Sequence, residues 1–233
     1  MRVAVVGASG FFGSALTKAL AGQGHVVTAV TRGNYAQANA DAYDVLINTA
    51  MPSKRFWARH HPDLDFVETV GKTAGLLYGW QFSRFIQISS VSARCERDTV
   101  YGRHKAAAEV LCERPDALVV RLTALYGPAM TKGAIIDIVS GNPVYVDGDS
   151  RYGFTPVDFA ARWVATHLEQ IGLVEVGARD AVSLREVADA LGRTVSFSGD
   201  REDQMVVGPE PTWPSAREVI TFAAALARED HNK

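Results

Sequence analysis

The chain has 233 residues, 47% of them hydrophobic, which is enough to bury a substantial core in one domain or in one domain with a small appendage. A formal charge of −2, with acids and bases interspersed, excludes a polycationic stripe or a long acidic run, so the expected partner is a small molecule rather than nucleic acid or an anionic membrane. Cys95 and Cys112 are too few for a disulfide framework and have no metal-ligand spacing, which suits structural roles in a reducing compartment.

The opening "MRVAVVGASG" reads as a strand running into a glycine turn, without the longer apolar stretch and cleavage site of a signal peptide. No apolar segment reaches the roughly 18 residues of a membrane span, and the expected address is cytoplasmic. Short β-rich runs then alternate with segments of helical period: "RVAVVG" and Ser14 to Gly22; "HVVTAV"; "DVLINTA" and Asp63 to Trp80; "RFIQIS" and Val100 to Glu113; "ALVVRLTALYG". Such alternation predicts an α/β fold, a doubly wound and mainly parallel sheet with right-handed crossovers. Beyond Gly127 the pattern loosens. "VYVDGDSRYGFTPVDFAARWVATHLE" reads as a strand, a turn and a helix, and "SLREVADALG" as a short helix capped by Ser183. Residues 1–127 are therefore expected to form a nucleotide-binding domain, and residues 128–233 a small substrate-side lobe packing back on the sheet in a single compact unit.

At the first βα junction, "GASGFFG" spaces Gly7, Gly10 and Gly13 three residues apart. This is not GxGxxG, but the physical task is similar: a tight turn, close backbone approach, and free helix N–H groups offered to a pyrophosphate. Packing alone would also account for such a turn. In "VYGRHKAAAE", Tyr101 and Lys105 stand four apart and so share one helical face. A tyrosine titrating near ~10 becomes a usable acid/base when a fixed cation favours its phenolate. The spacing also arises by composition, so it needs the context of the rest of the chain.

Taken with the strand-end "ISSVS", these motifs resemble the extended short-chain dehydrogenase/reductase family, also called the NAD-dependent epimerase/dehydratase family. "TVGKTAGLLYGWQFSRFIQISS", "VRLTALYGP" and "GDSRYGFTPVDFAARWV" extend the resemblance, in order, through most of the chain. It implies a Rossmann-like fold and a Ser/Tyr/Lys group in which Tyr101 is the general acid/base, Lys105 its electrostatic partner and a ligand of the nicotinamide ribose, and Ser90 the donor to a carbonyl oxygen. Ser89 and Ser92 are rivals for the serine role. The resemblance further implies cofactor contacts at Gly7, Ser9, Gly10, Phe11, Phe12, Gly13, Thr31, Arg32, Thr49, Ala50 and Ser89, besides Tyr101 and Lys105.

Some positions depart from the family pattern. "GNYAQANADAY", beginning at Gly33, is too short for the strand and helix usual there, which predicts a trimmed sheet edge and a more open adenine pocket. Ala124 stands where sugar-nucleotide enzymes commonly carry asparagine, and Thr69 where asparagine is frequent beneath the cofactor, with a hydroxyl that retains part of the hydrogen bonding. Strand two ends in "TRGN" without the acidic residue that would bind a ribose 2′-OH. Arg32 there suits a 2′-phosphate, so NADP (NADPH) is the expected cofactor and NAD the possible one, with Thr31 and Asn34 as neutral donors to the same phosphate.

His60 and His61 are adjacent and do not face one site, so no metal is expected. Trp57, Trp80, Trp163 and Trp213 read as core or interface anchors. Arg151 is the better candidate for substrate contact than Tyr126 or Tyr152. The leading expectation is an NADP-dependent oxidoreductase reducing a ketone, or oxidising an alcohol, of a small polar or sugar-like substrate. The alternatives are a sugar or nucleotide-sugar epimerase/dehydratase that recycles its cofactor, and a non-catalytic NADP-binding redox sensor. A homodimer is expected through the helices Asp63 to Trp80 and Val100 to Glu113.

Overall fold

A computed structural model of the chain describes residues 1–230. The described residues divide into two compact units, residues 1–122 with 160–175, and residues 123–159 with 176–230.

The first unit opens with β1 (Arg2–Val6), α1 (Phe11–Gly22), β2 (Val26–Val30), a single helical turn α2 (Tyr35–Ala38) and β3 (Ala42–Asn48). Next come α3 (Arg55–His60), α4 (Pro62–Phe66), a π-helical segment (Val67–Gly71), α5 (Lys72–Gly79), β4 (Gln81–Ser90), α6 (Ser92–Cys95), α7 (Val100–Val110) and β5 (Ala117–Leu122). The β-branched runs in β1 and β5 are buried after Arg2 and throughout, respectively, as strands covered on both faces must be. Leu16 and Leu20, one turn apart on α1, are fully buried, and each stabilises the fold by roughly 1.5–3 kcal/mol.

The second unit supplies β6 (Leu125–Tyr126), α8 (Ala134–Ser140), β7 (Arg151–Tyr152) and β8 (Thr155–Pro156). After α9 (Val157–Thr166), which ends in the first unit, and β9 (Gly172–Val176), it continues with β10 (Val182–Ser183), α10 (Leu184–Ala190), β11 (Asp203–Gln204) and α11 (Glu218–Asp230). Its core gathers Ile135, Ile138, Phe154, Leu184, Val187, Val219 and Ala223. Ser183 caps α10 in a reciprocal box with Glu186, as the sequence predicts. The strand expected at "VYVD" does not form. Val144 makes one isolated bridge to Phe197, and the Asp147 carboxylate accepts from Asp149 N–H at 2.7 Å, closing a turn where the strand would continue.

The main sheet has six strands in the order β2-β1-β3-β4-β5-β9, and each successive pair from β2 to β5 is parallel. This is the Rossmann-like doubly wound arrangement. β2 is its edge strand, with Val26 exposed, because the β2–β3 connection carries one helical turn in place of a further strand and helix. Chain order reverses beside β1, between β2 and β3, so ligand-binding loops are expected beyond Val6, Val30 and Asn48. The helix expected over Asp63 to Trp80 is divided: the π-helical segment inserts between two α-helices and shifts the phase of the residues that follow. Among the described residues, no helix is long and apolar enough to cross a membrane.

Candidate active site

Gly7 has φ +87°, a conformation that side chains rarely adopt, and a Cβ there would lie 2.8 Å from Ala50 Cα. A Cβ on Gly13 would lie 2.2 Å from the Gly7 carbonyl oxygen. These two glycines let the start of α1 nest against the loop after β3. Thr49 fixes that loop, its hydroxyl donating to Val6 O at 2.8 Å, while Ala50 N–H donates to Asn48 Oδ1 at 3.0 Å. Gly10 is the N-cap of α1. It brings no side-chain cap, and the first turn holds no acidic residue, so the N–H groups of this helix end are left for an anion. Ser9 and Gly10 are exposed, and Phe11 and Phe12 are half-buried beside them.

After β2, the Asn34 carboxamide closes the turn: its oxygen accepts from Thr31 N–H at 2.7 Å and from the Thr31 hydroxyl at 3.2 Å, and its nitrogen donates to Ala29 O at 3.0 Å. Thr31 and Asn34 are thus committed to shaping the turn. Arg32 stands exposed on it.

β4 delivers Ser90 at its carboxyl end, and the Thr99 hydroxyl, accepting from Gly102 N–H at 3.0 Å, starts α7 just before Tyr101. Gly102 permits the close approach of α6 to α7, since a Cβ there would lie 2.0 Å from Glu96 O. Tyr101 and Lys105 are both buried, with Lys105 Nζ 5.1 Å from the centroid of the Tyr101 ring. Ser90 lies near enough to the Tyr101 phenol to favour its phenolate form. The other two serines point elsewhere: Ser89 donates to Glu109 Oε1 at 2.6 Å, and the fully buried Ser92 accepts from Ser90 Oγ at 3.1 Å.

Burial pushes the Tyr101 phenol up to about 12, against the pull of Arg55 and Ser90, while Glu96 and Asp65 push the same way as burial. Burial also pushes Lys105 down to about 7, against the attraction of Asp65 and Glu109. The sequence rationale has the lysine lowering the phenol. In the fold, desolvation is the largest influence on both groups, and the cation acting most on the phenol is Arg55.

Two buried polar residues complete the surroundings: Thr69, marked in the sequence as a departure from the family pattern, and Asp65, which nothing there singled out. Asp65 is fully buried on α4; its Oδ2 lies 2.7 Å from Nδ1 of His104 on α7, and its Oδ1 has no hydrogen-bond partner. The Thr69 hydroxyl, also fully buried and one turn further along the π-helical segment, has none either. Buried polar atoms are nearly always satisfied, so two such orphans on one wall suit a polar ligand. With the uncapped helix end and the glycine turn, they fit a dinucleotide. The one available sequence signal for Asp65 was His104, next to Lys105 on the same helix; nothing local marked Asp65 as its partner.

A buried ionic network holds α7 in place. Arg121 on β5 donates to Glu109 Oε1 at 3.0 Å and Oε2 at 2.6 Å and to Glu175 Oε1 at 3.3 Å, and Arg94 pairs with Glu175 at 2.7 and 2.9 Å. Arg151 lies on β7 of the second unit and is exposed. Cys112 is a buried free thiol, pushed up by burial to about 12, so it does not ionise readily; Cys95 is a free thiol exposed at the end of α6.

Residues 3–177 match the family model described as the NAD dependent epimerase/dehydratase family, so the chain belongs to that family. It is an enzyme of the extended short-chain dehydrogenase/reductase type. No curated protein matches it. Among solved structures, it is similar to a UDP-galactose 4-epimerase, with 23% identity, TM-score 0.76 and coverage of 98% of this chain and 99% of that one. A UDP-glucuronic acid 4-epimerase from Bacillus cereus, in complex with UDP-glucuronic acid and NAD, gives 20% identity, TM-score 0.68 and coverage of 98% and 93%. RMD from Pseudomonas aeruginosa, complexed with NADPH, gives 17% identity, TM-score 0.74 and coverage of 98% and 99%.

Proposed function

We propose that the enzyme interconverts a ketone and a secondary alcohol on a small polar or sugar-like substrate, with NADP preferred over NAD. The observation that carries this reading is the grouping of two buried side chains, with Lys105 Nζ 5.1 Å from the Tyr101 ring centroid and Ser90 near enough to favour the phenolate, at what we read as the cofactor-binding edge of the sheet. Gly7, Gly10 and Gly13, with Ser9, Phe11 and Phe12, would hold the pyrophosphate, Thr49 and Ala50 would line the path of the dinucleotide, and Arg32 would meet the 2′-phosphate. When bound, the nicotinamide supplies the hydride. Ser90 donates a hydrogen bond to the substrate oxygen, and Tyr101 transfers its phenolic proton to that oxygen as charge develops there. Lys105 binds the nicotinamide ribose and stabilises the phenolate left behind. The phenol's position near 12 makes it a reluctant acid without a nearby cation, which is why a charged Lys105 belongs to the reaction. Arg151 is assigned to substrate contact.

Incubation with NADPH and a panel of ketones and keto-sugars tests this reading. One NADPH oxidised per alcohol formed supports it. Conversion of a sugar nucleotide without net cofactor consumption would favour the second reading, an epimerase or dehydratase, to which the UDP-sugar epimerases among the structural neighbours lend weight. Cofactor binding without turnover of any substrate would favour a sensor.

A homodimer is part of the same reading, since Phe66, Val67, Tyr78 and Val110, on or between the helices expected to pair, are 49%, 58%, 74% and 60% exposed.

A further inference from the structure

A buried lysine and a buried carboxylate each need an opposite charge. Two carboxylates attract Lys105, those of Asp65 and Glu109, with Asp65 the stronger. Their situations differ. Glu109 accepts three hydrogen bonds from Arg121 and a fourth from Ser89, so its charge is already compensated. Asp65 has one oxygen on His104 and the other on nothing, and it is fully buried. His104 is the residue before Lys105 on α7, and the Phe66 ring packs edge-on against it, 5.5 Å between centroids, so the imidazole and the carboxylate it holds are fixed to the helix that carries the lysine. The other charges around this pocket are Arg55 on α3, paired with Glu96 after α6 at 3.3 Å.

We infer that Asp65, held by His104, is the positioning residue that keeps Lys105 charged in its buried place beside Tyr101. This role goes beyond the Ser/Tyr/Lys group and rests on the proposed function for its consequence in catalysis, though not for its test.

Lys105 is titrated in the intact protein by the NMR shifts of isotope-labelled lysine side chains, with its signal assigned through Lys105→Met. In Asp65→Asn the Lys105 transition is expected to fall by about one pH unit or more, the size of effect that a nearby opposite charge exerts, and in Asp65→Glu to stay close to wild type. Asp65→Ser, which removes the charge without introducing an amide, carries the same expectation as Asp65→Asn should the latter not fold. A transition that falls by less than about half a unit, or rises, in the charge-removing variant overturns the inference. Where turnover is measurable, the alkaline limb of kcat/KM should move down with the transition, because activity requires the charged lysine; a limb that stays put while the transition moves would count against the proposed role of Lys105 and not against the role of Asp65.

Discussion

Lys105 Nζ lies 5.1 Å from the centroid of the Tyr101 ring, on the helical turn that follows it, and both side chains are almost wholly enclosed. Enclosure works against both charged forms. The phenol resists losing its proton and the ammonium resists keeping its own, so the pair depends on surrounding charges to function at neutral pH.

Stability should register this conflict. The folded protein holds Lys105 near 7, below its ordinary value of 10.5, so between these limits the unfolded chain binds a proton that the folded one does not. Stability from this group therefore rises with pH across that window, and below it the folded state bears the full cost of a buried charge. The melting temperature of Lys105→Met, relative to wild type, should be highest below about pH 7 and should fall steadily towards pH 10. A difference independent of pH would show that Lys105 is not desolvated.

The glycine turn makes a steric prediction. Gly13→Ala places a Cβ 2.2 Å from a backbone oxygen that cannot move freely, whereas Gly10→Ala meets the same oxygen at 3.2 Å. Thermal unfolding should show Gly13→Ala losing about 1–3 kcal/mol, the usual cost of overpacking, and Gly10→Ala distinctly less. Equal losses would mean that α1 does not nest against the Gly7 carbonyl.

Much of this was legible in the chain. Alternating β-rich and helical runs, the glycine turn and the four-residue Tyr101/Lys105 spacing are local signals, and the short segment after Gly33 pointed to a trimmed sheet edge, which is the edge at β2. The π-helical insertion after Asp65 was not legible, because the apolar period there still fits one long helix. Nor was the engagement of Ser89 by Glu109, which the packing of α7 on β4 brings together across twenty residues of chain. The pairing of Asp65 with His104 spans 39 residues and was hidden for the same reason.

The proposed preference for NADP rests on Arg32, exposed on a turn where Thr31 and Asn34 are engaged with each other. Calorimetry should find NADPH bound more tightly than NADH, and Arg32→Asp should invert the order, the loss for NADPH being about 10- to 100-fold, as for one charge-assisted hydrogen bond. Equal wild-type affinities would remove Arg32 from the assignment.

The catalytic assignment of Tyr101 is met most directly by Tyr101→Phe, measured for both NADPH affinity and turnover on a ketone that the wild type reduces. Phenylalanine keeps the buried ring and removes only the oxygen that carries the proton. Cofactor affinity should stay within a few-fold of wild type while kcat falls by at least ~10²-fold, the usual loss for a positioned acid/base. A Tyr101→Phe enzyme with near wild-type turnover would make Tyr101 a core aromatic and would contradict the proton-transfer role, leaving only the dinucleotide-binding fold in place.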